Sequence, residues 1–264
     1  AKVFRRVCPP SPPMSSTEPR SALAGSKIVT ISDLRTHCSS CSMRELCLPF
    51  GLAESEVDQL YSIIGSRVKL KKGEPMFRNG AAFTALYAVR VGSVKTTMLS
   101  DDGREQIAGY HMPGDILGLD GMSTGRHECE AIALEDTEAC VLPFDRLEDV
   151  ARQLPALQHS LHRVVGREID HDHRQLLLLG SMRAEERLAA FLLSLSERYK
   201  RRGYSSTEFV LRMTREEIGS FLGLKLETVS RLFSRFQEEG LVQVQGRAVK
   251  IMDLPTLKKM AGQR

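Results

Sequence analysis

No long hydrophobic run occurs in this 264-residue chain. The longest apolar stretches, such as LLLL at 176–179, are far shorter than the ~20 residues needed to cross a bilayer, so no membrane association is expected. No charged segment followed by an apolar core and a cleavage site opens the chain, so no secretory leader is expected and the cytoplasm is the expected compartment. Enzyme fingerprints are missing too. GDILGLDG, residues 114–121, lacks the G-x-G-x-x-G spacing and the βαβ context of a dinucleotide site. No hydrolytic triad or zinc-protease motif is visible. What the chain does have is 42% hydrophobic residues, enough for a sizeable core in one large or two ordinary domains.

Six cysteines are present. In a chain of this size with no leader, clustered cysteines point to metal binding or redox response rather than a disulfide framework. The net charge of +4 is modest but uneven: residues 181–264 hold 16 Lys and Arg against 10 Asp and Glu, a local +6. A basic C-terminal third suits an anionic partner, nucleic acid ahead of membrane, although a solvated charged surface has the same composition.

Texture divides the chain into four parts. Residues 1–30, with PPSPPMSSTEPRSALAGS, are rich in Pro and Ser and read as disordered. Met14 could open the translated chain, so no function is placed on Cys8. Residues 31–150 hold a cysteine-containing segment and then short apolar stretches with glycine punctuation. ALYAVRVGSVKTTML at 85–99 alternates, and DDG at 101–103 is a hairpin turn signal, so an all-β sandwich, roll or barrel is expected. Residues 151–180 are helical, with Pro155 at the start. One stripe holds Leu154, Leu157, Leu161 and Val164 and suits packing on the β domain. A second holds His162, Val165, Ile169, Asp172, Leu176 and Leu179 at 3, 4, 3, 4, 3 spacing, the seam of a two-stranded coiled coil. A core helix confined to its own chain is the plainer alternative. Asp172 is the odd member, because two such carboxylates facing each other would repel. Residues 181–264 read as short helices and a hairpin.

Within that last part, TREEIGSFLGLKLETVSRLFSRFQEEG at 214–240 carries a capping box, Thr214 with Glu217. A first helix ends at Gly223 and a second runs over 227–239. LVQVQGRAVKIM then predicts a hairpin about Gln245 and Gly246, so the whole reads as a winged helix-turn-helix. The exposed N-terminal face of the second helix presents Glu227, Ser230 and Arg231. Arg can donate two bonds to guanine, Glu can accept from cytosine, and Ser can contact either. Lys225, Arg215, Arg235 and Arg247 are candidates for holding phosphates. Taken alone, Glu227 and Arg231 could equally be an ordinary surface pair.

Cys38, Cys41 and Cys47 fall within HCSSCSMRELC, a C-x2-C-x5-C spacing. Soft thiolates suit zinc or an iron–sulfur cluster. A tetrahedral zinc site would take a fourth ligand, for which His37 is adjacent; a [4Fe–4S] cluster takes four thiolates. Cys129 and Cys140 lie further along, and spacing does not choose among these.

The order of β-roll, long helix and winged helix-turn-helix resembles the CRP/FNR superfamily of bacterial transcription regulators, close to its oxygen-sensing branch, the fumarate and nitrate reduction regulators. The motifs that carry this are HCSSCSMRELCLPFGL, YAVRVGSVK, EQIAGYHMPGDILGLD, AEERLAAFLLSLS and LGLKLETVSRLFSRFQ. The resemblance implies an α+β fold: a jelly roll like cyclic-nucleotide-binding domains, a dimerisation helix and a winged helix-turn-helix. It implies a homodimer that reads palindromic TTGAT-type sites in double-stranded DNA through Glu227, Ser230 and Arg231 and recruits RNA polymerase. It also implies a [4Fe–4S] cluster on Cys38, Cys41, Cys47 and Cys140, with Cys129 an extra. The cyclic-AMP-binding relatives carry an Arg-Ser or Arg-Thr pair where this chain has GMSTGRHECEA, which speaks against a cyclic nucleotide. The rival readings are a regulator controlled by another small ligand or by zinc, and an iron–sulfur redox protein.

Overall fold

The structure, a computed structural model, describes residues 37–100 and 103–262. The expectation for residues 1–30 and the first two residues of the DDG turn lie outside the described residues. A 3-10 turn (Cys38–Ser40) leads into α1 (Glu54–Ile63). Eight strands follow: β1 (Ser66–Leu70), β2 (Pro75–Phe77), β3 (Ala85–Val91), β4 (Val94–Leu99), β5 (Glu105–His111), β6 (Ile116–Leu117), β7 (Glu130–Ala133) and β8 (Thr137–Pro143). Then come α2 (Phe144–Gln153), α3 (Pro155–Ser181), α4 (Ala184–Arg201), β9 (Glu208–Val210), α5 (Arg215–Leu222), α6 (Leu226–Glu238), β10 (Val242–Gln245), β11 (Ala248–Ile251) and α7 (Leu254–Met260).

The first eight strands form two four-stranded sheets, ordered β1-β8-β3-β6 and β2-β7-β4-β5, and the last three form a small sheet, β10-β11-β9. Alternation along β3 explains why the roll has two cores. Tyr87 and Val89 turn toward Phe77, Val94, Leu117 and Ala131 inside the roll. Leu86 and Ala88 turn the other way and join Leu48, Leu52, Leu142, Leu157 and Val164. Side chains two apart on a strand share a face, so one strand links the roll interior to the cysteine segment and to α3. Leu86, Leu142 and Leu157 are fully buried there, each worth roughly 1.5–3 kcal/mol of apolar transfer.

Proline at the first position and 27 residues make α3 the longest element, roughly 40 Å at 1.5 Å per residue. Its Leu157 and Val164 are buried, with Leu154 and Leu161 packed beside them, as expected for the first stripe. The second stripe is left open: Ile169 is 50% exposed and Leu176 68%, with His162 and Asp172 also exposed. Val165 and Leu179 are half-buried, and Leu179 packs against the C-terminal core. No helix among the described residues is long and apolar enough to cross a membrane.

The C-terminal core is shared. Ile107, Tyr110 and Leu134 of the roll lie in one cluster with Phe191, Ile218, Phe221 and Phe236. Polar contacts reinforce this joint. Lys95 Nζ meets Glu217 at 2.8 Å, and Asp115 accepts from Arg198 at 2.6 Å and Arg202 at 2.7 Å.

Candidate nucleic-acid interface and cysteine site

The helix-turn-helix is built by its predicted caps. Thr214 Oγ1 accepts from the Glu217 amide at 3.1 Å while Glu217 accepts from the Thr214 amide at 2.7 Å. Gly223, at φ +63°, ends α5 in the left-handed region that a side chain disfavours. Gly219 carries a role that pattern reading does not assign: a Cβ there would stand 2.6 Å from the Leu224 carbonyl oxygen, so only glycine lets the turn fold back this tightly. Val229, Leu232, Phe233 and Phe236 bury one face of α6.

The opposite face of α6 presents Glu227, Ser230 and Arg231, all exposed. Arg231 Nε lies 3.4 Å from the Glu227 carbonyl oxygen, so its contact runs to the backbone of the preceding turn. The four candidate phosphate holders divide. Lys225 and Arg247 are exposed, beside the helix start and in the wing turn. Arg215 stacks on Phe233 at 3.3 Å from the ring centroid, and burial pushes its guanidinium down to about 10. Arg235 pairs with Glu239 at 2.7 Å and Glu185 at 3.9 Å. Two of the four cations are thus engaged within the chain.

In the N-terminal half, Cys38, Cys41, Cys47 and Cys140 line one pocket of about 40 Å³, together with apolar side chains such as Leu48, Leu60 and Leu142. Cys140 reaches it because β8 places it opposite Ala88 of β3, on the face that also carries Leu142 toward the cysteine segment. Burial pushes the Cys38 and Cys47 thiols up to about 12, and for Cys38 the neighbouring Cys140 and Cys41 add to this. Cys140 is also raised, burial again dominating and Arg67 opposing it. A metal centre needs thiolates, so loading this pocket would release protons. Among the described residues no three His, Cys, Asp or Glu side chains converge tightly enough to hold a metal ion ready-made.

His37, the neighbour suggested by spacing as a ligand, points elsewhere. Its ring packs tilted against Tyr61, centroids 4.0 Å apart, and its Nε2 lies 3.4 Å from Asp58. Cys129 is outside the pocket; burial and then the Asp120 carboxylate push it up to about 12.

The backbone on either side of Cys47 is tied to α3 by contacts that no sequence pattern announces. Ser160 Oγ donates to the Phe50 carbonyl at 3.0 Å, and Arg163 Nη2 reaches the same oxygen at 3.5 Å. The Arg163 guanidinium lies 3.9 Å over the Phe50 ring. Arg167 donates both Nη groups to the Leu46 carbonyl, at 3.3 and 3.4 Å.

A β-roll that carries a thiol pocket, joined by a long helix to a winged helix-turn-helix, is the architecture of a DNA-binding transcription regulator. Residues 186–260 match the Crp-like helix-turn-helix domain and residues 67–153 the cyclic nucleotide-binding domain. The Transcriptional regulatory protein btr of Bordetella pertussis is 49% identical over 89% of this chain and 97% of its own length. The Fumarate nitrate reduction regulatory protein of Klebsiella oxytoca is 43% identical, over 86% of this chain and 91% of its own. The solved structure of FixK2 from Bradyrhizobium japonicum superposes with a TM-score of 0.69 at 31% identity, covering 74% of this chain and 96% of that one. The chain belongs to the CRP/FNR family of transcription regulators.

Proposed function

We propose that this chain is an oxygen-responsive transcription regulator, active as a homodimer in the cytoplasm. In this reading a [4Fe–4S] cluster on Cys38, Cys41, Cys47 and Cys140 promotes dimerisation through α3. The dimer then reads palindromic TTGAT-type sites, recruits RNA polymerase and switches genes of anaerobic metabolism. The observation that carries the reading is the shared pocket: three thiols from one short segment and a fourth from β8 face one cavity. The relative named for fumarate and nitrate reduction supports the choice of cluster over zinc, since those acceptors serve when oxygen is absent.

Cys38, Cys41, Cys47 and Cys140 would hold the cluster, which would supply oxygen-labile iron–sulfide bonds. The rest is done by the chain. With Cys47 and Cys140 held together, the backbone of residues 46–50 is fixed against the roll. Its two carbonyls, at Leu46 and Phe50, then offer fixed acceptors to Arg167, Arg163 and Ser160 on α3. These residues steer the helix face that carries Ile169, Asp172 and Leu176. A coupling of only about 1.4 kcal/mol changes a dimerisation constant tenfold. Glu227, Ser230 and Arg231 read base edges, with Lys225 and Arg247 on phosphates and Arg215 and Arg235 bracing the recognition helix.

A regulator controlled by a different small ligand is the second reading, favoured by the match to the cyclic nucleotide-binding domain. Against a cyclic nucleotide stands His127, from the stretch GMSTGRHECEA. It is 2% exposed, stacks on Phe77 at 3.8 Å and has Nδ1 3.4 Å from Asp120, filling space inside the roll.

Protein isolated without oxygen should be coloured and hold roughly four iron and four sulfide per chain. It should shift a TTGAT palindrome, and lose both properties on exposure to air. Cys140→Ser should carry little iron and bind weakly even without oxygen. A colourless preparation that binds equally well in air would sink the oxygen reading and favour the other ligand.

A further inference from the structure

The last four carbonyls of an α-helix have no partner within it. In α5, the helix that precedes the recognition helix, three of them are capped from three other elements. Gln106 of β5 donates Nε2 to the Ser220 carbonyl. Gln175 of α3 donates Nε2 to the Phe221 carbonyl at 2.7 Å. Arg187 of α4 donates Nη1 to the Leu222 carbonyl at 2.9 Å. The same guanidinium sends two further donors to the end of α3: Nη2 to the Leu179 carbonyl at 2.8 Å and Nε to the Met182 carbonyl at 2.9 Å.

One cation therefore closes the C-termini of two helices, where the macrodipole favours positive charge. A guanidinium is a rigid planar fork, so three bonds from one group fix an angle, which a flexible ammonium would not do. The turn closes on the same point: a Cβ at Gly223 would stand 3.2 Å from Arg187 Nη1 and 3.2 Å from Leu179 Cδ2. Leu179 is also the last member of the α3 seam, so the residue that ends the seam touches the residue that begins the recognition turn.

We propose that Arg187 is a positioning and specificity-determining residue that sets the angle between the seam of α3 and the recognition helix, and so the half-site spacing the dimer accepts. The inference rests on the dimer reading above. Two recognition helices must meet half-sites about one DNA turn apart, and the spacing a dimer tolerates depends on how stiffly each is held to the seam. Base contacts themselves are made elsewhere, on the exposed face of α6.

Full-length protein prepared without oxygen is titrated against three duplexes: a TTGAT palindrome, the same palindrome with one base pair inserted at its centre, and a single half-site. Sedimentation records the dimer, and melting records the fold. In Arg187→Gln, half-site affinity and dimer fraction should stay near wild type while the preference for the correct palindrome falls about tenfold. Arg187→Lys should lie between. An unchanged preference overturns the proposal. So does a loss of half-site affinity in step with melting temperature, which makes Arg187 a fold-holding residue only. If Arg187→Gln does not fold, Gln175→Ala removes the other bond from α3 to α5 and must also relax the preference; an unchanged ratio there is equally fatal. Should wild type sediment as a monomer on every duplex, the dimer reading has failed before any variant is made, and the inference falls with it.

Discussion

Glu168 shows how one side chain can load the joint of the molecule. It lies half-buried on α3, and burial, then the Asp172 and Asp115 carboxylates, push it up to about 7, with Arg198 and Arg167 opposing. An unfolded Glu titrates near ~4.3. The folded state therefore bears no cost from this group below that pH. The cost grows as pH rises toward 7 and is complete above it. Glu168→Gln should accordingly melt higher than wild type at pH 8 and lose the advantage by pH 4. A constant difference across that range would mean that the effect is packing rather than charge.

The second stripe of α3 was legible as an element before any coordinates, because its 3, 4 spacing survives in the sequence. So were the helix-turn-helix, marked by Thr214, Glu217 and Gly223, and the first stripe that packs on the roll. What sequence could not reveal are contacts to backbone oxygens. The targets of Arg163, Arg167 and Arg187 are carbonyls at Phe50, Leu46, Leu179, Met182 and Leu222, and a carbonyl leaves no residue-type signal. The same limit explains Arg215, which pattern offered to phosphate and the fold stacks on Phe233. Asp172 belongs to this scale, since its effect depends on the helix pairing with a copy of itself. It stands exposed amid Ile169 and Leu176, where, in the dimer proposed above, apposed carboxylates would oppose the apolar gain. Removing that repulsion is worth about 1.4 kcal/mol or more, a tenfold shift. Asp172→Ala should therefore sediment as a dimer and shift DNA in air; a variant that stays monomeric in air would remove Asp172 from the switch.

Across the whole molecule, the roll and the DNA-binding region share one apolar core, and one of the polar ties between them centres on Asp115. It accepts from the Met112 amide at 2.8 Å, from Arg198 of α4 and from Arg202 at the C-cap of that helix. Burial alone would raise its carboxyl, but the two guanidinium groups outweigh that and hold it down at about 2. A carboxylate with a depressed folded value stabilises the fold above its unfolded pKa of ~3.9, and that contribution fades as pH falls from there toward 2. Hydrogen bonds to charged groups contribute ~1.5–3 kcal/mol, and neutral Asn leaves Arg202, whose side chain is 3% exposed, without its countercharge. Asp115→Asn should cost about 2–3 kcal/mol at pH 7, or roughly 5–10 °C in a chain of this size. Near pH 2 most of that difference should vanish, because the unfolded carboxyl is by then protonated and the folded one is half so. The loosened joint should also reach DNA: α4 carries Arg187, so a shift of α4 on the roll displaces the contact that aims α6. Asp115→Asn is therefore expected to bind a TTGAT palindrome more weakly at 25 °C, well below its melting point, with single half-site affinity retained. If palindrome affinity stays at the wild-type level while melting falls, the Asp115 tie serves stability alone, and the roll and the recognition helix communicate only through α3.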